Sequence, residues 1–385
     1  MIIRNVRRST SEGAVLLEAR AERHTPGRPP IDFYYKFFDV EETDVDDTPD
    51  AFAAACLIKS MRANEPLVIE QPISRRLHVM LPRIRDIYHC WWPDLYRRIP
   101  ISSRPREEHD AAPRKNTATF FSGGVDSFYT LLKHHREGEL AGRPLSHLIF
   151  MRGVETPLEK GKGVEDSEDW VRAVADALGI RAIFGATNVR THIMQNWEKY
   201  DHGSALASIG LCLSPLIGHL CIPSAFSYRH QVPHGSTPLA DEMFSSDRMF
   251  IFHDGSEATR AEKVEAITTW NRDLSLRYLR VCLGNFGGAY NCGKCRKCVR
   301  TAIPLKILGL LDAHEIFRNG DESHWEAVTA LDHVEMIREN HALAKRVGST
   351  PATTRMLERI MKKKKFEGAV QELEAMALRE PGQRG

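Results

Sequence analysis

From residue 117 onward the chain alternates short β-rich runs with helical runs of ten or more residues, and this alternation limits the fold more than any other feature. Thr117–Phe121 reads as a strand, then a glycine turn, then a helix through His135. Leu145–Met151 (strand), Glu165–Leu178 (helix) and Arg181–Phe184 (strand) continue the series. Ser204–Leu213 (helix), Leu220–Ile222 and Met249–His253 (strands), Thr259–Trp270 (helix) and Leu279–Cys282 (strand) complete it. Strands separated by helices of that length imply right-handed βαβ units. The expected fold is therefore α/β, with a doubly wound, mainly parallel sheet.

A chain of 385 residues exceeds one ordinary core, so more than one domain is expected. Residues 1–99 mix strand-like runs (Ala14–Ala19, Ile31–Phe38) with helical ones: Asp50–Arg62 behind a candidate Asp cap, and the amphipathic Ile73–Trp91. They read as a small α/β domain without a chemical signature, in which Trp91-Trp92 is a packing feature before it is a substrate platform. Residues 100–116 hold three prolines and many charges and read as a linker. The βαβ domain runs over 117–312, and 313–385 is a helical C-terminal extension ending in the basic run Lys362–Lys365.

Lys plus Arg (53) nearly balance Asp plus Glu (51), which argues against nucleic acid as the main partner. The longest stretch without Asp, Glu, Lys or Arg, His202–Tyr228, has the length of a membrane span, but its prolines, glycines and serines fit a buried helix followed by a buried strand. No signal peptide is legible, so the expected location is cytoplasmic, with no membrane contact.

The most informative segment is Thr117–Leu132, where a strand ends in Ser122-Gly123-Gly124-Val125-Asp126-Ser127 and a helix starts at once. The glycines permit a tight turn that brings backbone N–H groups close to a ligand. Ser122 and Ser127 add hydroxyls, and the helix start adds orphan N–H groups with partial positive charge, so the segment reads as a phosphate cradle. Asp126 beside phosphates would repel them unless it holds Mg²⁺, and it is assigned to that metal. Neither a Walker-type GxxxxGK[ST] nor a GxGxxG occurs here.

Four of the eight cysteines, Cys282, Cys292, Cys295 and Cys298, fall within seventeen residues. Four thiolates at this spacing match a structural zinc, with an iron–sulfur cluster as the rival. Lys294, Arg296, Lys297 and Arg300 would offset the thiolate charge.

SGGVDS between a strand and a helix resembles the loop of the PP-loop ATP pyrophosphatases, the adenine nucleotide alpha hydrolases. CxxCxxC preceded by one cysteine about ten residues upstream is similar to the cyano-deazaguanine synthase branch, and Thr259-Arg260-Ala261-Glu262-Lys263-Val264 looks like that branch's T-K-A-E-I-V helix start. The resemblance spans roughly residues 117–310. It implies that the loop grips the terminal pyrophosphate of ATP while the substrate attacks the α-phosphorus. It further implies that Arg260 and Lys263 neutralise the phosphates, and that main chain at Arg152, Gly153 and Glu155 meets adenine.

The sequence departs from that branch at His202-Gly203-Ser204, where the branch carries Arg-Asn, and over Tyr228–Asp247, which has no counterpart in it. Glu155, His202, Ser204, His234, Ser236 and Asp254 lie on loops expected at the carboxyl edge of the sheet and are candidates for the substrate side. Asp254 is equally a candidate helix cap or Mg²⁺ ligand. The expected activity is adenylation of a substrate oxygen, that of a carboxylate, followed by C–N bond formation on a small-molecule or modified-base-like substrate. Nitrogen would come from ammonia, an amine or a partner; a homodimer is possible. A thiolase-like tRNA-modifying enzyme and an inactive ATP-binding scaffold are the alternatives.

Overall fold

Alternating apolar and polar residues build the first three strands into an antiparallel meander. β1 (Ile2–Ser11) and β2 (Ala14–Glu22) are joined by Glu12 and Gly13, whose φ angles of 51° and 72° are those a type I′ turn requires. β3 (Ile31–Phe38) turns Phe33, Tyr35 and Phe37 inward. There the Phe33 and Tyr35 rings meet Phe52 edge-on, with centroids 5.0 and 5.5 Å away. Phe52 belongs to α1 (Asp50–Ala63), a helix buried almost throughout. Its cap position is Pro49, not Asp50 as the sequence suggests. Asp50 instead accepts hydrogen bonds from Ser74 N (2.9 Å) and Arg106 Nη2 (3.1 Å), and burial lifts its carboxyl to about 6 even with Arg106 beside it. β4 (Leu67–Ile69), α2 (Arg75–Trp91) and β5 (Ile101–Ser102) follow, with the Ser74 hydroxyl capping α2.

The computed structural model describes residues 1–107, 116–137, 144–154, 156–159, 161–282, 291–314, 317, 322–330 and 334–377. Beyond β5 come β6 (Asn116–Phe120), α3 (Val125–Glu137), β7 (Leu145–Arg152), α4 (Lys162–Leu178) and β8 (Arg181–Thr187). Then come α5 (Val189–His192), α6 (His202–Cys212), β9 (Ile217–Pro223), α7 (Pro238–Asp241) and β10 (Phe250–Asp254). All ten strands form one sheet in the order β10-β9-β6-β7-β8-β3-β2-β1-β4-β5. From β10 to β8 every pairing is parallel. The strands β6, β7 and β9 of that half are buried along almost their whole length, polar residues such as Thr117 and Thr119 included, as expected of a parallel sheet covered on both faces. Alternate residues divide between the faces: Ala118, Phe120, Leu220, Ile222 and Ile251 join a core with α1 and α6. Phe121 packs on Phe128 of α3, with ring centroids 5.0 Å apart.

The first hundred residues do not stand apart as a separate α/β layer. β3 pairs antiparallel with β8, from Tyr35 opposite Thr187 to Phe38 opposite Phe184, so the meander extends the parallel sheet. The segment expected to be a linker opens with β5 and with Arg106 held by Asp50; residues 108–115 lie outside the described residues. The chain divides instead into units 1–257 and 258–385. The uncharged stretch from His202 is a helix and a strand, α6 and β9, and among the described residues no helix is long and apolar enough to cross a membrane.

The second unit contains α8 (Arg260–Trp270), α9 (Arg272–Tyr278), α10 (Arg296–Ile307), α11 (Trp325–Thr329), α12 (Val334–Val347) and α13 (Pro351–Ala377). Leu279–Cys282, expected as a strand, pairs with no other strand among the described residues; Asn291 fastens it instead, as described below.

Candidate functional site

β6 lies between β7 and β9. From it the chain proceeds through β7 and β8 in one direction, then returns to place β9 and β10 on the other side. This order makes the carboxyl end of β6 the switch point of the parallel half, where open α/β sheets form a crevice. Ser122–Ser127 occupies that end. Gly123 has φ 76°, a left-handed turn for which glycine carries no Cβ penalty. Ser122 Oγ accepts from Gly124 N (3.4 Å), Ser127 Oγ donates to Gly124 O (3.0 Å), and the two hydroxyls are 3.5 Å apart. Val125 is fully buried and anchors the first turn of α3. Asp126, half-buried, lies on that same turn. The early N–H groups of a helix have no carbonyl four residues back, and the first turn of α3 starts at the switch point.

α3 is itself fastened to the end of β10. Thr130 Oγ1 donates to Asp254 Oδ2 (2.8 Å), while Lys133 Nζ and His134 Nε2 each lie 3.1 Å from Asp254 Oδ1. Lys133 also donates to Glu257 (2.6 Å), which accepts from Tyr129 (2.9 Å). Burial pushes the Asp254 carboxyl up, but His134, Lys133 and Thr130 overcome this and hold it well below the usual range. Asp254 therefore fixes the helix behind the loop. The cap of the next helix is Thr259, in a capping box with Glu262.

After β7, Gly153 (φ 79°) is required by space as well as by conformation, since a Cβ there would stand 2.0 Å from Thr187 O. The Arg152 guanidinium turns to Glu168, with Nη2 to Oε2 at 2.9 Å, and covers the Phe38 ring. Arg152 thus offers a ligand only its main chain, the part the sequence reading assigned to adenine. Glu155 lies outside the described residues.

His202, His234 and Ser236 come together through tertiary packing. The His202 and His234 rings are 4.9 Å apart, and Gly203 N donates to Gly235 O (3.0 Å). Burial, with His234 beside it, pulls His202 down to about 3, so it is a neutral imidazole. Ser236 Oγ donates to Asp241 Oδ2 (2.5 Å), which also faces His253 Nδ1 at 2.8 Å. Both groups therefore converge on one carboxylate oxygen. In a hydrolase triad the serine and the carboxylate would engage opposite ring nitrogens, so this geometry cannot activate Ser236 as a nucleophile. Ser204 takes no part, because its buried hydroxyl donates to Asp201 O (2.9 Å) within the first turn of α6.

The sequence reading missed Asp241 and Tyr88. The Tyr88 hydroxyl lies within hydrogen-bonding distance of Tyr200 O (2.9 Å) and Gly235 O (3.2 Å). The one local signal was Thr237-Pro238, a helix start that fixes Asp241 on the short α7. Trp92 packs edge-on against Tyr88, Tyr96 and Tyr200, and Trp91 meets Tyr88 at a tilt, as the packing reading expected.

In the second unit the sulfurs of Cys282, Cys292, Cys295 and Cys298 lie within 4.8 Å of one another, and could hold a metal such as zinc. Four sulfurs at about 2.3 Å from one tetrahedral ion are about 3.8 Å apart, and Cys292 and Cys298 stand at 3.8 Å. Gly293 (φ 68°) turns the knuckle so that Cys295 N donates to Cys292 Sγ (3.2 Å). Cys295 stands at the N-cap position of α10 and Cys298 in its first turn, where the helix dipole favours thiolates. Without a metal, burial and then the neighbouring Cys295 and Cys282 push the Cys298 thiol up. Asn291 supplies the fastening that spacing did not disclose: its Oδ1 accepts from Val281 N (2.9 Å) and Cys282 N (3.1 Å), and its Nδ2 donates to Leu279 O (3.0 Å). Arg260 and Lys263 also belong to this unit, on α8. Arg260 N donates to Glu339 (3.2 Å) and its Nη2 to Thr301 (3.4 Å), while Lys263 is buried.

No protein-family model, no curated protein and no solved structure matches the chain.

Proposed function

We propose that the chain binds ATP with Mg²⁺ at Ser122–Ser127 and adenylates a substrate oxygen, most plausibly a carboxylate, with release of pyrophosphate. A nitrogen nucleophile then displaces AMP and forms the C–N bond. One observation carries this reading: a glycine-turned loop between a parallel strand and a helix, placed at the switch point of the sheet. Such a loop stabilises anionic oxygens with preorganised backbone N–H groups, and holding the last two phosphates as a unit makes pyrophosphate the leaving group. The likeness of SGGVDS to the PP-loop family supports the same chemistry. Asp126 would hold Mg²⁺. His202 and His234, with Ser236 ordered by Asp241, would offer the substrate hydrogen-bonding groups. Zinc at the four cysteines would be structural, closing the fold of its own unit.

The test is the unfolding temperature with and without ATP·Mg²⁺. At a ligand concentration of 100 times Kd, native-state binding contributes about 2.7 kcal/mol, and Asp126→Asn should remove most of that gain. The same stabilisation in the Asp126→Asn protein would contradict the metal role.

A further inference from the structure

The near-neutral charge of the whole chain hides an uneven distribution. Between Arg75 and Arg106 there are eight arginines, two aspartates, and no lysine or glutamate. This is an excess of six positive charges in a chain whose total is +2, so the remainder is net acidic. Arg75, Arg83, Arg97, Arg98 and Arg104 are exposed. Arg75 and Arg83 lie eight residues apart on one face of α2, about 12 Å along its axis. Neither guanidinium forms an ion pair among the described residues, whereas that of Arg98 faces Asp86 at 3.3 Å. Trp91 and Trp92, partly buried against the core, stand at the C-terminal end of the same helix with the remainder of each indole at the surface.

The opposite side of α2 is bound to the candidate substrate loop. Tyr88 reaches Gly235 O, between His234 and Ser236, and Arg75 N and Arg76 N donate to Asp247 (2.7 and 3.0 Å). The arginine face therefore lies about one helix diameter, roughly 10 Å, from that loop.

We infer that this face is a docking surface for a single strand of nucleic acid, held by its phosphodiester backbone and laid beside the His234–Ser236 loop. The planar guanidinium fork matches phosphate oxygens two at a time, and the strand's charge complements the patch. Aromatic surface beside a basic track suits unpaired bases, which stack on aromatic rings, more than a closed duplex. The inference does not depend on ATP binding, since the surface is defined without the nucleotide loop.

The experiment is fluorescence-anisotropy binding of a labelled mixed-sequence strand of about 20 nucleotides to the full chain, without ATP, across a salt series. Parallel arms use the same sequence as a duplex and polyglutamate of equal length. The expected result is tighter binding of the single strand than of either competitor. Arg75→Gln/Arg83→Gln/Arg97→Gln should weaken it about tenfold or more and flatten the log–log salt slope by about two, at roughly 0.7 per lost phosphate contact. The corresponding triple lysine variant should retain most of the affinity, and because these side chains are exposed, both should unfold at the wild-type temperature. Polyglutamate or duplex binding as tight as the single strand, or unchanged affinity in the glutamine variant, would overturn the proposal. A loss that follows substitution of Lys362–Lys364 instead would overturn it as well.

Discussion

The loop at the end of β6 and the polar cluster around Asp241 both lie in the first unit, yet they are built in opposite ways. The loop is made from six consecutive residues whose backbone conformation creates the site: Gly123 in a left-handed turn, two serines folded back on Gly124, and a helix start. The cluster draws His202 from α6, His234 and Ser236 from a connecting segment, Asp241 from α7 and His253 from β10. Its chemistry exists only once the chain has folded. A site of the first kind tolerates distant change and fails with its own backbone; a site of the second kind fails when any close approach is lost.

The largest effect expected on this contrast is at the four-cysteine knuckle, which is nearly as local as the loop. Cys298→Ser should abolish metal retention, which for structural zinc represents about 10–16 kcal/mol of binding free energy coupled to folding. Metal analysis should fall from about one zinc per chain to near zero, with loss of cooperative melting in residues 258–385; full metal content would show a different ligand set.

Asp254→Asn addresses the join between the two kinds of region, since Asp254 holds α3 behind the loop. Removing one member of a buried charged network costs about 3 kcal/mol. Urea unfolding should register that loss, whereas a change below about 0.5 kcal/mol would match an ordinary surface site and sink the clamp.

A pair of glycine variants separates the two constructions directly. At Gly123 an alanine must adopt a left-handed conformation that costs about 1–2 kcal/mol; the ATP-dependent stabilisation should disappear while the cluster persists. At Gly203 a Cβ would meet Gly235 O at 2.2 Å and Asp241 Oδ1 at 2.5 Å. Gly203→Ala should therefore disturb the cluster and lower turnover while leaving the ATP-dependent shift intact. The reverse assignment of effects would break the comparison.

Acid sensitivity is the mildest test. Burial lowers His202 to about 3, with His234 contributing, and lowers His147 to about 4, with Arg181 contributing. Folding therefore favours the neutral rings. Their contribution is complete above the unfolded pKa near 6.5 and is lost as the pH falls, by about 1.4 kcal/mol per pH unit for each ring. Asp50, lifted to about 6 by burial, works in the other sense below that pH. The balance of two against one predicts a melting temperature for the first unit that drops from pH 7 to pH 5. A flat profile would show that His202 and His147 are not held neutral.

What the sequence disclosed follows the same division. The strand–helix alternation, the SGGVDS turn and the CxxCxxC knuckle are local, and their residues sit in the elements expected for them. The pairing of β3 with β8 was not legible, because no short-range signal tells an antiparallel edge which strand it will extend. The role of Asp254 was equally hidden: its partners Thr130, Lys133 and His134 are more than one hundred residues away in sequence. Leu279–Cys282 misled for the converse reason. A short apolar run carries strand propensity, but here the backbone donors of Val281 and Cys282 are taken by one side chain, that of Asn291.

The central claim is that the loop at β6 presents the α-phosphorus of ATP to a nucleophile. Phosphorus NMR of ATP·Mg²⁺ incubated with the protein, first with water as acceptor and then with a carboxylate and ammonia, tests it most directly. The account predicts AMP and pyrophosphate as the products, formed by the wild type and lost in Gly123→Ala. ADP and inorganic phosphate as the main products would contradict it.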